Sequence, residues 1–116
     1  MATDFQTKEI QNLGSGASGT DLTPVYTSGE ATVHAIYFSN THGSNAIGVD
    51  MWLADGGNVR KAYILYNVEL EPRSTLVIEK PINLTASGTA ADQRKLVVRS
   101  ASGTNIDVMA SVLVIT

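Results

Sequence analysis

Apolar and polar residues alternate along most of this chain, and short clusters of turn-forming residues interrupt the alternation at near-regular intervals. The turn signals are Ser28-Gly29, Thr41 to Ser44, Asp55-Gly56-Gly57-Asn58, Pro72-Arg73-Ser74, Ser87-Gly88 and Ser102-Gly103-Thr104. Between them lie runs rich in Val, Ile, Leu, Tyr and Thr, the composition and period of half-buried strands. In residues 31–39, Val33, Ala35 and Tyr37 alternate with His34, Ile36 and Phe38, so both sides are apolar and the strand is expected to be central or covered. In residues 46–54, Ile47, Val49, Met51 and Leu53 form a core set opposite Gly48, Asp50, Trp52 and Ala54. Residues 62–70 repeat the pattern, with Ile64, Tyr66, Val68 and Leu70 inward and Tyr63, Leu65, Asn67 and Glu69 outward.

Residues 75–79 predict a short strand with Leu76 and Ile78 inward. Residues 80–84 predict an extended edge segment, because Pro81 has no N–H to give a ladder. Residues 95–100 and 106–115 predict a terminal hairpin whose last strand turns Ile106, Val108, Ala110, Val112 and Val114 to one face. No sustained helical period occurs, and residues 89–94 are long enough only for one helical turn or a loop. About seven or eight strands joined mostly by tight turns predict an all-β fold: an antiparallel β-sandwich, jelly-roll or immunoglobulin-like, in preference to a small closed barrel.

The first residues break the pattern. Residues 1–13 hold scattered apolar positions, and Gly14-Ser15-Gly16-Ala17-Ser18-Gly19-Thr20 reads as a flexible linker. The expected organisation is an N-terminal arm and Gly/Ser linker at 1–22, followed by the sandwich domain at 23–116. Either the arm is a frayed terminus or it lies on a neighbouring subunit with Phe5 and Ile10 as anchors.

Composition narrows the function. At 116 residues the chain is one domain, and 43% apolar with 16% charged residues describes a folded protein. Its eight Lys and Arg and eleven Asp and Glu are scattered singly, which argues against nucleic acid as a partner. No apolar run approaches the roughly 20 residues of a membrane span, and the first residues lack the basic and apolar regions of a signal peptide, so the chain is expected to be made in the cytoplasm and not secreted by a signal peptide. Cysteine is absent, which removes disulfides and thiolate metal sites.

Candidate chemistry is sparse. His34 and His42 have no third histidine to complete a zinc site, and their spacing to Asp50 or Asp55 carries no ligand signature, so His34 is expected as a partly buried strand residue and His42 as a solvated loop residue. Asp55-Gly56-Gly57-Asn58 lacks the spaced carboxylates of a calcium loop and reads as a turn. The glycines at 14–19 precede no helix and no Lys-Ser/Thr, so no phosphate loop is expected. Glu69 and Glu71 read as surface residues, and Asn83-Leu84-Thr85 is a glycosylation sequon that matters only on a secretory route. No catalytic, metal-binding or cofactor-binding residue stands out, and a non-enzymatic protein is expected. Trp52, Tyr63 and Leu65, all opposite the apparent core sets, form an outward patch that serves as an interface, as a sugar-stacking platform, or as the floor of a second packing layer.

Several segments together resemble small virion structural proteins of tailed bacteriophages. They are Pro24-Val25-Tyr26-Thr27-Ser28-Gly29, residues 31–40 ending in Ser39-Asn40, Val49-Asp50-Met51-Trp52-Leu53, Glu71-Pro72-Arg73-Ser74-Thr75-Leu76 and Ile106-Asp107-Val108-Met109-Ala110-Ser111. The resemblance spans residues 22–116 and rests on strand pattern and turn chemistry. This chain departs from it at Thr23-Pro24-Val25-Tyr26, where the pattern has Tyr-x-Val-Pro, and at the inserted-looking residues 89–94. The resemblance implies a β-sandwich present in many copies on a virion, first as a capsid cement or decoration protein and otherwise as a neck or tail component. It implies as partners the major capsid protein and further copies of the chain, in a homo-oligomer that is trimeric where it caps capsid three-fold positions. The alternatives are a carbohydrate-binding β-sandwich module and a cellular all-β interaction domain.

Overall fold

The computed structural model describes residues 3–23, 30–85 and 88–115. The Ser28-Gly29 turn, the Pro24 to Gly29 segment and Ser87 lie outside them. The described chain is all β, two antiparallel sheets packed as a jelly-roll-like sandwich. Its strands are β1 (Thr3–Ile10), β2 (Thr20–Asp21), β3 (Glu30–Asn40), β4 (Ile47–Ala54), β5 (Arg60–Leu70), β6 (Thr75–Ile78), β7 (Ile82–Thr85), β8 (Lys95–Ser100) and β9 (Ile106–Ile115). One sheet runs β1-β9-β3-β6, with β7 beside β6 along the same flank of β3; the other runs β2-β8-β4-β5. Residues 89–94 contain the single helical turn that their length allows, a 3-10 turn over Ala90–Asp92.

Alternation places the core between the sheets. From the five-stranded sheet come the cross-strand rows Leu84–Ala31–Val114, Ile82–Val33–Val112, Ile78–Ile36–Ala110 and Leu76–Phe38–Val108. From the other come Val49, Met51, Leu96 and Val98. Burial of each such side chain contributes about 1.5–3 kcal/mol, and a one-residue slip of any strand would expose its whole set.

Four expectations are corrected. Within the expected arm at 1–22, the described residues 3–22 do not stand apart from the sandwich: β1 pairs with β9 at eight consecutive positions, and Leu13 and Leu22 lie in the main core. The β1 signal is weak because its inward residues Asp4, Gln6 and Lys8 overhang the sandwich edge, and only Ile10 reaches the core. Second, β8 and β9 are not a hairpin but belong to opposite sheets. Their connection is held at both ends, by Ala101 N–H to the Gly48 carbonyl on one sheet and by Thr41 N–H to the Asn105 carbonyl on the other.

Third, the inward and outward sets of β5 exchange part-way along. β5 has 11 residues against the 8 of β4, and three register shifts absorb the three extra residues. Each bulge inverts the alternation. The result puts Leu65 opposite Met51, packed on the core, and leaves Tyr66 70% exposed. Fourth, a register shift between Val33 and Ala35 leaves His34 exposed and returns Ile36 and Phe38 to the side of Val33.

Candidate functional site

The outer face of the four-stranded sheet is covered by the chain's own residues over Trp52, while Tyr63 and Tyr66 on β5 stay exposed. Trp52 points away from the core, yet it is only 6% exposed. Val97 lies beside it, Tyr63 meets it edge-on at 5.8 Å, and Gly19 covers it from the loop before β2. A Cβ at Gly19 would sit 2.6 Å from Val97 Cγ1 and 2.8 Å from Trp52 Cη2, and the residue has φ +71°, so glycine is required twice over. Tyr66 extends the cluster edge-on to Tyr63 at 4.8 Å, and the Arg60 guanidinium lies 4.5 Å from the Tyr63 ring centroid. A groove of about 910 Å³ runs alongside, bordered by Asp21, Asn58, Arg60 and Trp52.

The polar groups on this face are matched to one another. Buried Asp50 accepts hydrogen bonds from the Asn67 N–H (2.6 Å) and from Arg99 Nε (3.0 Å) and Nη2 (2.5 Å). Asn67 adopts φ +50°, which Asn tolerates better than most residues, and this turns its N–H onto the carboxylate at the β5 bulge. The Lys95 ammonium, also buried, donates to Asp21 (2.9 Å) and to the Asn58 amide oxygen. Asp55 caps its own turn, with Oδ1 accepting from the Gly57 N–H (2.8 Å) and the Val59 N–H (2.9 Å). The Val59 N–H above all holds its carboxyl below the usual carboxylate range; burial opposes this, and the Gly57 N–H and the Lys61 ammonium reinforce it. Both donors to Oδ1 come from the backbone of the turn, as the turn reading of this motif requires.

The outer face of the five-stranded sheet is open. Cross-strand pairing sets five rows on it: Thr85–Glu30–Ile115–Thr3, Asn83–Thr32–Leu113–Phe5, Ala35–Ser111–Thr7, Val77–Tyr37–Met109–Glu9 and Thr75–Ser39–Asp107. Phe5 is 77% exposed, and Val77 and Met109 are each about 40% exposed. Thr32 donates to Asn83 at 2.9 Å and Ser39 shares a 3.0 Å hydrogen bond with Thr75, so the neutral polar residues here are partly satisfied among themselves. Charge stands at the two ends of these rows, Glu30 at one and Glu9 and Asp107 at the other.

The sequence-predicted interface residues thus do not converge. Phe5 lies on the open face; Ile10 and Leu65 pack on this chain's own core; Trp52 and Tyr63 belong to the closed face. Tyr37, Val77 and Met109 were not singled out by the sequence, since their exposure depends on which strands neighbour β3 and β9. Glu69 and Glu71 are exposed, as expected of surface residues. His42 is a loop organiser, its Nδ1 accepting from the N–H groups of Ser44 (3.1 Å) and Asn45 (3.0 Å). Among the described residues no three His, Asp or Glu side chains gather as a metal site, and no helix is long and apolar enough to cross a membrane.

Residues that carry the phage resemblance meet in space. The Asn40 amide donates to the carbonyls of Asn45 (2.9 Å) and Leu70 (3.0 Å) and accepts from the His42 N–H (2.9 Å). Its backbone pairs with the Pro72-Arg73-Ser74 turn, through Arg73 N–H to the Asn40 carbonyl at 3.0 Å and Asn40 N–H to the Ser74 carbonyl at 2.9 Å. Asp107 Oδ1 accepts from the Asn12 N–H at 2.9 Å, pinning the segment after β1 to β9.

Neither a known protein family nor a curated protein matches the chain. Similar solved structures include the CBM22-1 xylan-binding domain of Xyn10C from Paenibacillus barcinonensis, at 13% identity and a TM-score of 0.41, covering 79% of this chain and 60% of that one. They also include a chain of infectious bursal disease virus strain Gt, at 8% identity and a TM-score of 0.37, covering 97% of this chain and 33% of that one. The corresponding structure from strain Gx has 10% identity and a TM-score of 0.38, covering 96% and 33%. The chain therefore spans 60% of the xylan-binding domain and about a third of the viral chains.

Proposed function

We propose that the chain is a non-enzymatic structural protein of a tailed-phage virion, acting as a capsid cement protein that binds the assembled head lattice. The observation that carries this reading is the open face of the five-stranded sheet, where Phe5, Tyr37, Val77 and Met109 stand among neutral Ser, Thr and Asn side chains and the charged Glu30, Glu9 and Asp107 are kept to its two ends. Such a face can be desolvated against a partner at low electrostatic cost. The motif residues Asn40, Pro72 to Ser74 and Asp107 support the resemblance as a signature of fold, since each holds a connection of the sandwich. The mechanism is mass action: a protein that binds only the assembled lattice stabilises it, and many copies act together.

The test is sedimentation of the tagged chain with tailed-phage particles assembled from the genome that encodes it. Co-sedimentation at a fixed number of copies per head is expected. A chain that stays in the supernatant with intact heads overturns the cement role, and recovery only on detached tails moves it to the neck or tail. A second reading, a carbohydrate-binding module, draws on exposed Tyr66 and half-exposed Tyr63, which do not line the 910 Å³ groove but adjoin it through the contacts of Tyr63 with Trp52 and Arg60. It loses Trp52 as a platform, because Gly19 covers the indole. Binding on a glycan array that is abolished by Tyr66→Ala would favour it.

A further inference from the structure

Among the described residues, β9 pairs with one side of β1 at all eight positions and no strand pairs with the other side. The remaining edges of the sandwich are blunted. β5 is bulged three times, β2 is two residues long, and β6 and β7 are four residues each, with Pro72 and Pro81 close before them. β1 contains no Pro, no Gly and no bulge, and its one protection is charge, with Asp4 and Lys8 in its inward row, a protection that a partner of matching charge cancels. A regular edge of this kind presents a row of unpaired N–H and C=O groups that templates a further strand.

The side chains of β1 specify which strand. Its inward row Asp4, Gln6 and Lys8 overhangs the sandwich, with Gln6 Nε2 donating to Asp4 Oδ2 at 2.9 Å; its outward row is Phe5, Thr7 and Glu9. We propose that this edge pairs antiparallel with the same edge of a second copy of the chain, about a two-fold axis at Gln6. In that register Asp4 faces the partner's Lys8, and Lys8 faces the partner's Asp4, so two opposite-charge pairs form by symmetry. Phe5 faces the partner's Thr7, which makes the two Phe5 rings diagonal neighbours within aromatic reach and covers the most exposed apolar side chain of the described structure. Moving the axis to Phe5 sets Asp4 against Gln6, and moving it to Thr7 sets Lys8 against Gln6; both ion pairs are lost either way. The contact is isologous, and its symmetry is two-fold where the phage resemblance implies a three-fold trimer. It rests on β1 alone and not on the virion reading.

The experiment is native mass spectrometry and sedimentation velocity on the full chain, with circular dichroism to verify folding of each variant. The wild type forms dimers. Asp4→Lys and Lys8→Asp each replace two attractive pairs by two repulsive ones and raise the dimer dissociation constant about tenfold or more. Mixing the two variants restores a heterodimer, because every cross-strand pair is again opposite in charge, and the doubly swapped chain restores the homodimer. Wild type that is monomeric at concentrations up to about 1 mM overturns the proposal. So do single variants that dimerise as well as the wild type, or a mixture that stays monomeric. A monomeric wild type whose particle attachment is lost in both single variants also overturns it, and assigns the edge to a strand of another virion protein.

Discussion

The two outer faces of the sandwich differ at their centres, although Tyr63 and Tyr66 at the β5 edge of the four-stranded sheet are at least about as exposed as Val77 and Met109 on the other. On the four-stranded sheet, Trp52 is covered by Gly19 and Val97, Asp50 by Arg99 and the Asn67 N–H, and Lys95 by Asp21 and Asn58. On the five-stranded sheet, Phe5, Tyr37, Val77 and Met109 stand in open rows with no second layer of described residues above them. The difference separates stability from interaction. Residues answered from within the chain are costly to remove, whereas residues that nothing in the chain answers are free to be changed without unfolding it and are the ones available to a partner.

The strongest way to break the comparison is at Trp52. Trp52→Ala should cost about 3–5 kcal/mol in denaturant unfolding, the magnitude of a large core truncation, although the residue lies outside the main core. A loss below about 1 kcal/mol would show that the face is not closed. Arg99→Ala should cost about 3 kcal/mol, because it strips Asp50 of its charged partner and leaves a carboxylate that is almost fully buried with one remaining donor. Replacing both members by an apolar pair should be milder than this single change.

A smaller effect concerns the turn beside that face. The Asp55 carboxyl titrates below its ordinary value of 3.8, so its stabilising contribution is fully present above that pH and is lost as pH falls through the lower, folded-state value. Thermal unfolding followed from neutral pH to about pH 2.5 should show Asp55→Asn less stable than wild type at neutral pH, with the gap closing in acid. A gap that does not change with pH would remove the charge from the account of this turn.

How far these regions are legible in sequence depends on whether a residue's environment is set locally. Strands β3, β4, β8 and β9 are readable as strands because alternation and turn chemistry are local, and the inward residues Val49, Met51, Val108, Ala110 and Val112 follow from it, whereas the sides of Ile36 and Phe38 do not, because the irregularity at His34 belongs to the register of β3 with β9. The sides of Leu65 and Tyr66 are not readable, since bulges arise from the register between β5 and β4; positive φ at Asn67 is the one local trace, in a residue type that accepts it. β1 is misread because Asp4, Gln6 and Lys8 stand where a core strand would be apolar, although Thr3, Phe5 and Thr7 do alternate. Gly19 reads as linker, and only the fold brings Trp52 beneath it. The open face is likewise a product of strand order, which joins Val77, Tyr37 and Met109 from three separate segments into one row.

That row permits the most direct test of the central claim. Val77→Ser with Met109→Ser should leave unfolding free energy within about 0.5 kcal/mol of the wild type, as expected of exposed positions. In sedimentation with assembled phage heads, the same double variant should bind about tenfold more weakly than wild type, while Arg99→Lys, on the closed face, should bind as wild type does. Equal attachment of the wild type and the double variant would contradict the assignment of the open face to the virion lattice.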